Sequence, residues 1–245
     1  MYNNDRRLHM ENYDEFLNRI NSFEKTKIDF GRTYFTGNRS IAHKVDRDNT
    51  FKNFYGDTVV FDLDKATKAV ISLLVDSLYE ATPQCFCERL VPDTFHMTLH
   101  DLSNSDVLQN ISDEMFYNEL KIIKAKNQIE KLGNHRIRMK SNAIFNMVNT
   151  SLVLGLYPID RNNYIKLMEL YSIINDIKPL NYPLTPHITL AYYNVNGFDL
   201  SSASILISEV EKHNNNIDFE INLGDLYYQK FTNMNNYIDI VKLNL

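Results

Sequence analysis

Phe95-His96-Met97-Thr98-Leu99 and Pro186-His187-Ile188-Thr189-Leu190 are two copies of one motif in a single chain. Each reads His, apolar residue, Thr, Leu, inside a run of strand-like composition. On a strand successive side chains point to opposite faces, so His and Thr at i and i+2 emerge on the same side. Two such strands lying side by side present two imidazoles and two hydroxyls to one cleft. One imidazole can take a proton from a nucleophile and the other can give one to a leaving group, while the hydroxyls hold anionic oxygens. That set fits phosphoester chemistry without a metal.

Outward from the motifs, the order strand, helix, His-x-Thr strand occurs twice. Residues 57–63 read as a strand, and Asp64 can cap a helix carrying Ala69, Val70, Leu73, Leu74 and Leu78 that stops before Pro83. In the second half, 151–157 read as a strand. Residues 158–177 then read as a helix with Tyr164, Leu167, Leu170, Tyr171 and Ile174 on one face, and 187–193 as the second motif strand. Between the halves lie a helical region at 106–132, ended by Gly133-Asn134, and strands at 136–140 and 143–147. A helix near 201–212 and strands near 217–223, 226–231 and 237–243 finish the chain. This self-similarity points to two related lobes sharing a cleft rather than to a solenoid. Ahead of them, 8–24 read as an amphipathic helix, and 31–53 as an irregular polar stretch with strand-like pieces around Tyr34 and Val45. The expected division is an extension at 1–55 packed on a two-lobed domain at 56–245, with lobes at about 56–140 and 141–245.

The 245 residues are 44% apolar and 23% charged with a formal charge of −5, which argues against a basic nucleic-acid coat but allows a local basic cleft. Cys85 and Cys87 are too close for a disulfide framework and too few for a structural zinc site. No apolar signal core opens the sequence, and its longest apolar stretch, near 69–75, is far short of a membrane span. The expected location is the cytoplasm.

On its two complete motifs, His96-Met97-Thr98 and His187-Ile188-Thr189, the chain resembles the two-histidine (2H) phosphoesterase superfamily over residues 56–245. The resemblance implies an α+β, bilobal fold: two pseudo-symmetric lobes whose antiparallel sheets face a central cleft, with helices outside. It further implies a cofactor-free, metal-independent enzyme similar to RNA 2′,3′-cyclic phosphodiesterases, acting on a nucleotide or an RNA-terminal cyclic phosphate. His96 and His187 are then acid and base, and Thr98 and Thr189 hold the phosphate. Gly56-Asp57-Thr58-Val59-Val60 is similar to the Gly-x-Thr strand of an uncharacterised bacterial subgroup. There an extension precedes a Pro-Asp-x-x-His-x-Thr segment, here Pro92 to Thr98.

His100 follows His96 by four residues and Tyr193 follows Thr189 by four, so on continuous strands both share the catalytic face and are candidates to bind substrate. The alternative is that each simply ends its strand at the cleft rim. Arg32, Arg39 and Lys44 read as a solvated surface, with positive charge carried over the pocket as the second reading. His135, Arg136, Arg138 and Lys140 read as an ordinary charged surface, with an RNA backbone as the alternative occupant. His9, His43 and His213 sit in polar contexts that require no special role. Two other functional classes stand beside the enzyme. One is a nucleotide- or RNA-binding module with the same cleft and little turnover. The other is a metallohydrolase using the histidines as ligands, against which stands the lack of Asp or Glu at helical ligand spacing.

Overall fold

A computed structural model describes residues 11–23, 34–133 and 136–244; His9, Arg32 and His135, with the ends of the first predicted helix, lie outside them. The helices are α1 (Tyr13–Phe23), α2 (Lys65–Ala81), α3 (Ser112–Glu130), α4 (Arg161–Asn175) and α5 (Leu200–Asn214). The strands are β1 (Tyr34–Phe35), β2 (Tyr55–Asp62), β3 (His96–Ser105), β4 (Ile137–Met147), β5 (Ser151–Pro158), β6 (His187–Tyr192), β7 (Phe198–Asp199), β8 (Glu220–Leu223), β9 (Asp225–Asn233) and β10 (Asn236–Lys242). β1 pairs with β7, and the other eight form one antiparallel sheet in the order β10-β9-β2-β3-β6-β5-β4-β8.

The α+β, two-lobed architecture is the one the resemblance implies. β2 and β5 hold equivalent places, each between a motif strand and an outer strand, and both are covered on two faces. That is why they carry unbroken apolar runs: Val59, Val60 and Phe61 in one, Leu152, Val153 and Leu154 in the other, all fully buried. Helices pack against the sheet in two pairs, α2 with α5 and α3 with α4, so each pair combines one helix from each half of the sequence. Asp64 caps α2 by accepting from the Thr67 amide at 2.8 Å. The buried face of α2 is Ile71, Leu74, Val75 and Leu78, however, and Leu73 is 71% exposed. The two predicted strands at 136–140 and 143–147 are one strand, β4, interrupted by a register shift between Ser141 and Ile144. A hairpin turn follows it, with Val148 and Asn149 at φ 44° and 59° and the Thr150 amide donating to Met147 O at 2.9 Å.

β3 and β6 join the lobes through Met97 opposite Ile188, in each case the residue between His and Thr. Antiparallel register then sets His96 across from Thr189 and Thr98 across from His187, with the two histidines on a diagonal. Diagonal neighbours stand roughly 7–8 Å apart at the backbone. The lobes therefore share one continuous sheet, and the motifs meet at its centre.

The Gly56-Asp57-Thr58 segment is explained by what surrounds it. A Cβ on Gly56 would lie 2.3 Å from both the Phe231 ring and Ser103 O, so only glycine fits. Asp57 is buried and accepts from the Ser103 amide at 2.7 Å, Asn118 Nδ2 at 3.1 Å and Tyr228 OH at 3.0 Å. Thr58 donates its hydroxyl to His100 O at 3.0 Å. α1 lies over the second lobe, packing Phe16 and Ile20 against Tyr164 of α4. No helix among the described residues is long and apolar enough to cross a membrane.

Candidate active site

His96, Thr98, His187 and Thr189 line a single cavity of about 640 Å³ at the junction of β3 and β6. The backbone fixes the two imidazoles in the same way. His96 Nδ1 lies 2.8 Å from Thr94 O, and His187 Nδ1 lies 2.7 Å from Thr185 O. A carbonyl only accepts, so Nδ1 carries the proton in each ring, and a basic Nε2 is left for the cavity. The repeat thus begins one step earlier than the His: Thr94-Phe95-His96-Met97-Thr98-Leu99 matches Thr185-Pro186-His187-Ile188-Thr189-Leu190. Neither the Thr98 nor the Thr189 hydroxyl is taken up by a hydrogen bond to another described residue.

Burial lowers the proton affinity of both imidazoles. His96 is pushed down to about 4, mainly by burial, against the opposing pull of the Thr94 carbonyl and Asp101. His187 is lowered too, again chiefly by burial, with the Thr185 carbonyl and Asp101 opposing and Lys44 adding to the shift. The His96 ring also meets the edge of Tyr237 at 4.9 Å between centroids.

Of the two further predicted site residues, His100 borders the cavity and Tyr193 does not, because the motif strands are not continuous. Leu99 and Leu190, the residue after each motif Thr, are both bulged out of register: Val59 and Val60 face His100 and Thr98, while Leu152 and Val153 face Ala191 and Thr189. One extra residue reverses the alternation beyond it. Tyr193 therefore turns into the core, fully buried among Phe35, Phe86 and Phe198, and does not line the cavity. Tyr192 lines it instead. His100 borders the cavity, but both its ring nitrogens are engaged, Nδ1 with Asp101 O at 2.6 Å and Nε2 with Asn175 Oδ1 at 3.2 Å. Asp101, in the position equivalent to Tyr192, projects a carboxylate into the same space and accepts from Tyr182 OH at 3.3 Å. Sequence reasoning missed Asp101 and Tyr192 because it assumed uninterrupted strands.

The rest of the wall mixes aliphatic and polar side chains with aromatic rings, among them Phe54, Tyr171, Tyr182, Tyr192, Phe231 and Tyr237. Among the described residues two basic side chains reach it. Arg19 of α1 is tied to Glu11 at 2.6 Å and donates to Leu184 O at 2.8 Å and Thr185 Oγ1 at 3.0 Å, bracing the segment whose carbonyl holds His187. Lys44 is the other, and a correction to the surface reading, for it is half-buried in the cavity wall. Arg39 is exposed, as a surface residue would be. Arg138 and Lys140 pair with Glu220 and Asp218 at 2.5 and 2.7 Å in partly exposed positions, which fits the charged-surface reading. His43 contacts Asp106, and His213 contacts Ser77 and Glu209, all away from the cavity. Cys85 and Cys87 are buried free thiols, each pushed up to about 12 by burial and therefore poor nucleophiles. Among the described residues no three His, Cys, Asp or Glu side chains converge closely enough to hold a metal ion.

The sequence matches no family profile, and no curated protein matches it. Among solved structures, a conserved protein of unknown function, ATU0111 from Agrobacterium tumefaciens str. C58, is similar over 91% of this chain and 98% of that one. The TM-score is 0.62 at 14% identity. The two chains share a fold. Escherichia coli LigT complexed with 3′-AMP is also similar, with a TM-score of 0.49 at 11% identity over 77% of this chain and 97% of that one. TT0787 of Thermus thermophilus gives 0.46 at 12% identity, over 76% and 96%.

Proposed function

We propose that this chain is a metal-independent phosphoesterase of the two-histidine type, hydrolysing a cyclic phosphate or nucleotide-derived phosphodiester, with a 2′,3′-cyclic nucleotide or RNA end as the leading substrate class. The observation that carries the reading is the duplicated imidazole environment: two rings on a diagonal, each with Nδ1 held by the carbonyl two residues upstream and Nε2 left for the cavity. A phosphate seated between them has an imidazole on either side, as in-line displacement requires. One neutral Nε2 takes a proton from water as its oxygen attacks phosphorus. The opposite ring, carrying a proton on Nε2, gives it to the departing ester oxygen, so the two rings exchange protonation states in one turnover. Thr98 and Thr189 hydroxyls donate to the nonbridging oxygens, where charge is greatest in the transition state.

The charge of the cavity bears on its substrate. Burial lowers the proton affinity of both imidazoles and Arg19 is answered by Glu11, which leaves the Lys44 ammonium and the Asp101 carboxylate, not paired with each other, as the remaining charges of the wall. A space so nearly neutral suits a monoanionic diester better than a polyphosphate, and its aromatic lining offers faces for a base. Turnover of 2′,3′-cyclic nucleotides and bis(p-nitrophenyl) phosphate, measured in EDTA, tests the reading. Hydrolysis that persists in chelator is the expected result. Binding without hydrolysis would identify a binding module, and loss of turnover on chelation would identify a metallohydrolase.

A further inference from the structure

We propose that Lys44, which belongs to the chain ahead of the duplicated lobes, is the phosphate-binding cation of this cavity and sits on the His187 side of it. The inference rests on reading the cavity as a phosphoester site, and it deepens that reading by assigning the anion subsite to a residue outside both motifs.

A capped helical turn places Lys44. Asn38 caps the helical turn Arg39–His43 by accepting from the Ser40 amide at 3.0 Å, and the Lys44 amide closes that turn on Ile41 O at 2.9 Å. Ile41 and Val45 on either side are buried, and Val45 bridges Phe51, so the backbone at Lys44 is pinned to the body. Its ammonium then lies over two rings at once, 5.3 Å from the centroid of Phe54 and 5.1 Å from that of Tyr192. Ring faces attract a cation without neutralising it.

What the ammonium lacks is a counter-ion. Among the described residues no carboxylate lies within ion-pair distance of Nζ and no acceptor is hydrogen-bonded to it; the carboxylate that acts on it, Asp101, stands farther off. Burial accordingly lowers its proton affinity, with Asp101 opposing. A half-buried, uncompensated ammonium is costly to the fold unless an anion completes it. Tyr192, under the ammonium, lies on β6, the strand that carries His187, so the cation stands on that side of the cavity, and its charge lowers the proton affinity of that imidazole. Arg19, the other cation in the wall, is already committed to Glu11 and to two backbone and side-chain oxygens. Among the described residues of the wall, Lys44 is the cation left to meet a phosphate.

The test uses K44M, which keeps the apolar stem against Phe54 and Tyr192 while removing the charge, with K44R as the charge-preserving control. Calorimetric titration with inorganic phosphate and steady-state kinetics on bis(p-nitrophenyl) phosphate are the readouts. Losing one charge-assisted hydrogen bond corresponds to about a ten- to hundredfold change in equilibrium constant. K44M is expected to weaken phosphate binding by that factor, with KM rising in proportion and kcat falling less. K44R is expected to recover most of the loss, and K44M to melt no lower than wild type. Unchanged phosphate affinity in K44M overturns the inference, as does wild-type protein that does not bind phosphate. A lowered melting temperature with affinity intact would make Lys44 a packing strut only and overturn it equally. Lys44-dependent phosphate binding in a protein that hydrolyses no diester would end the catalytic proposal and leave this one standing.

Discussion

His96 and His187 each commit one ring nitrogen to a backbone carbonyl, and that single contact fixes tautomer, orientation and role together. Because burial lowers both, His96 to about 4, the pair in the free protein holds its one-proton state mainly on the acid side of 6.5. The profile of kcat/KM should therefore be bell-shaped with its maximum below about pH 6.5. The alkaline limb of kcat should lie higher, since a bound phosphodiester anion favours an imidazolium. Rates measured from about pH 5 to 9 check this, and a flat profile would contradict paired imidazoles. Tyr192 and Tyr193 give a second residue-scale contrast. Y193A should cost about 3–5 kcal/mol of stability as a core truncation, and Y193F should leave KM unchanged. Y192A should raise KM, because that ring lines the cavity.

At the scale of elements, the repeat was legible and its irregularities were not. Periodicity located α4 with its buried face of Tyr164, Leu167, Leu170, Tyr171 and Ile174, because a helix samples the core at a fixed interval. The bulges at Leu99 and Leu190 left no mark in composition, since an inserted apolar residue looks like any other strand residue. Their equivalence was nevertheless present in the shared Leu after each Thr. The face of α2 was misjudged because Leu73 and Val70 are apolar yet exposed, and composition alone does not tell a buried Leu from an exposed one. Asp57 escaped notice because a strand carboxylate reads as surface until its three donors are seen. Replacing it, D57A, strands the Ser103 amide, Asn118 and Tyr228 OH. The expected cost is about 3–5 kcal/mol. Urea unfolding with an unchanged m-value would register it, and a loss below about 1 kcal/mol would mean the network is slack.

Across the whole molecule, a pseudo-symmetric sheet concentrates the chemistry at one seam while residues from outside the lobes complete it. Arg19 braces the carbonyl-bearing Thr185 segment, and Lys44 enters the wall, so the extension read from sequence as packing material touches the site. Burying neutral histidines at this seam also ties stability to pH. In the unfolded chain these rings take up protons below about 6.5, whereas the folded protein resists until about 4 at His96. Their contribution is therefore complete above about pH 6.5 and lost progressively as pH falls toward 4. Melting temperatures of wild type and H96Q should converge across that window. Curves that stay parallel from neutral pH down to about 4 would show that His96 is not held neutral by the fold.

The most direct test of paired-imidazole catalysis is a double-mutant cycle on turnover of a 2′,3′-cyclic nucleotide, comparing H96Q, H187Q and the double variant, each checked for folding by its melting temperature. Two groups acting as one acid–base unit are strongly non-additive, so each single change should remove about 10²–10⁴-fold and the double change little more. Single variants that keep most of the wild-type rate, or losses that simply multiply, would contradict a mechanism shared between His96 and His187.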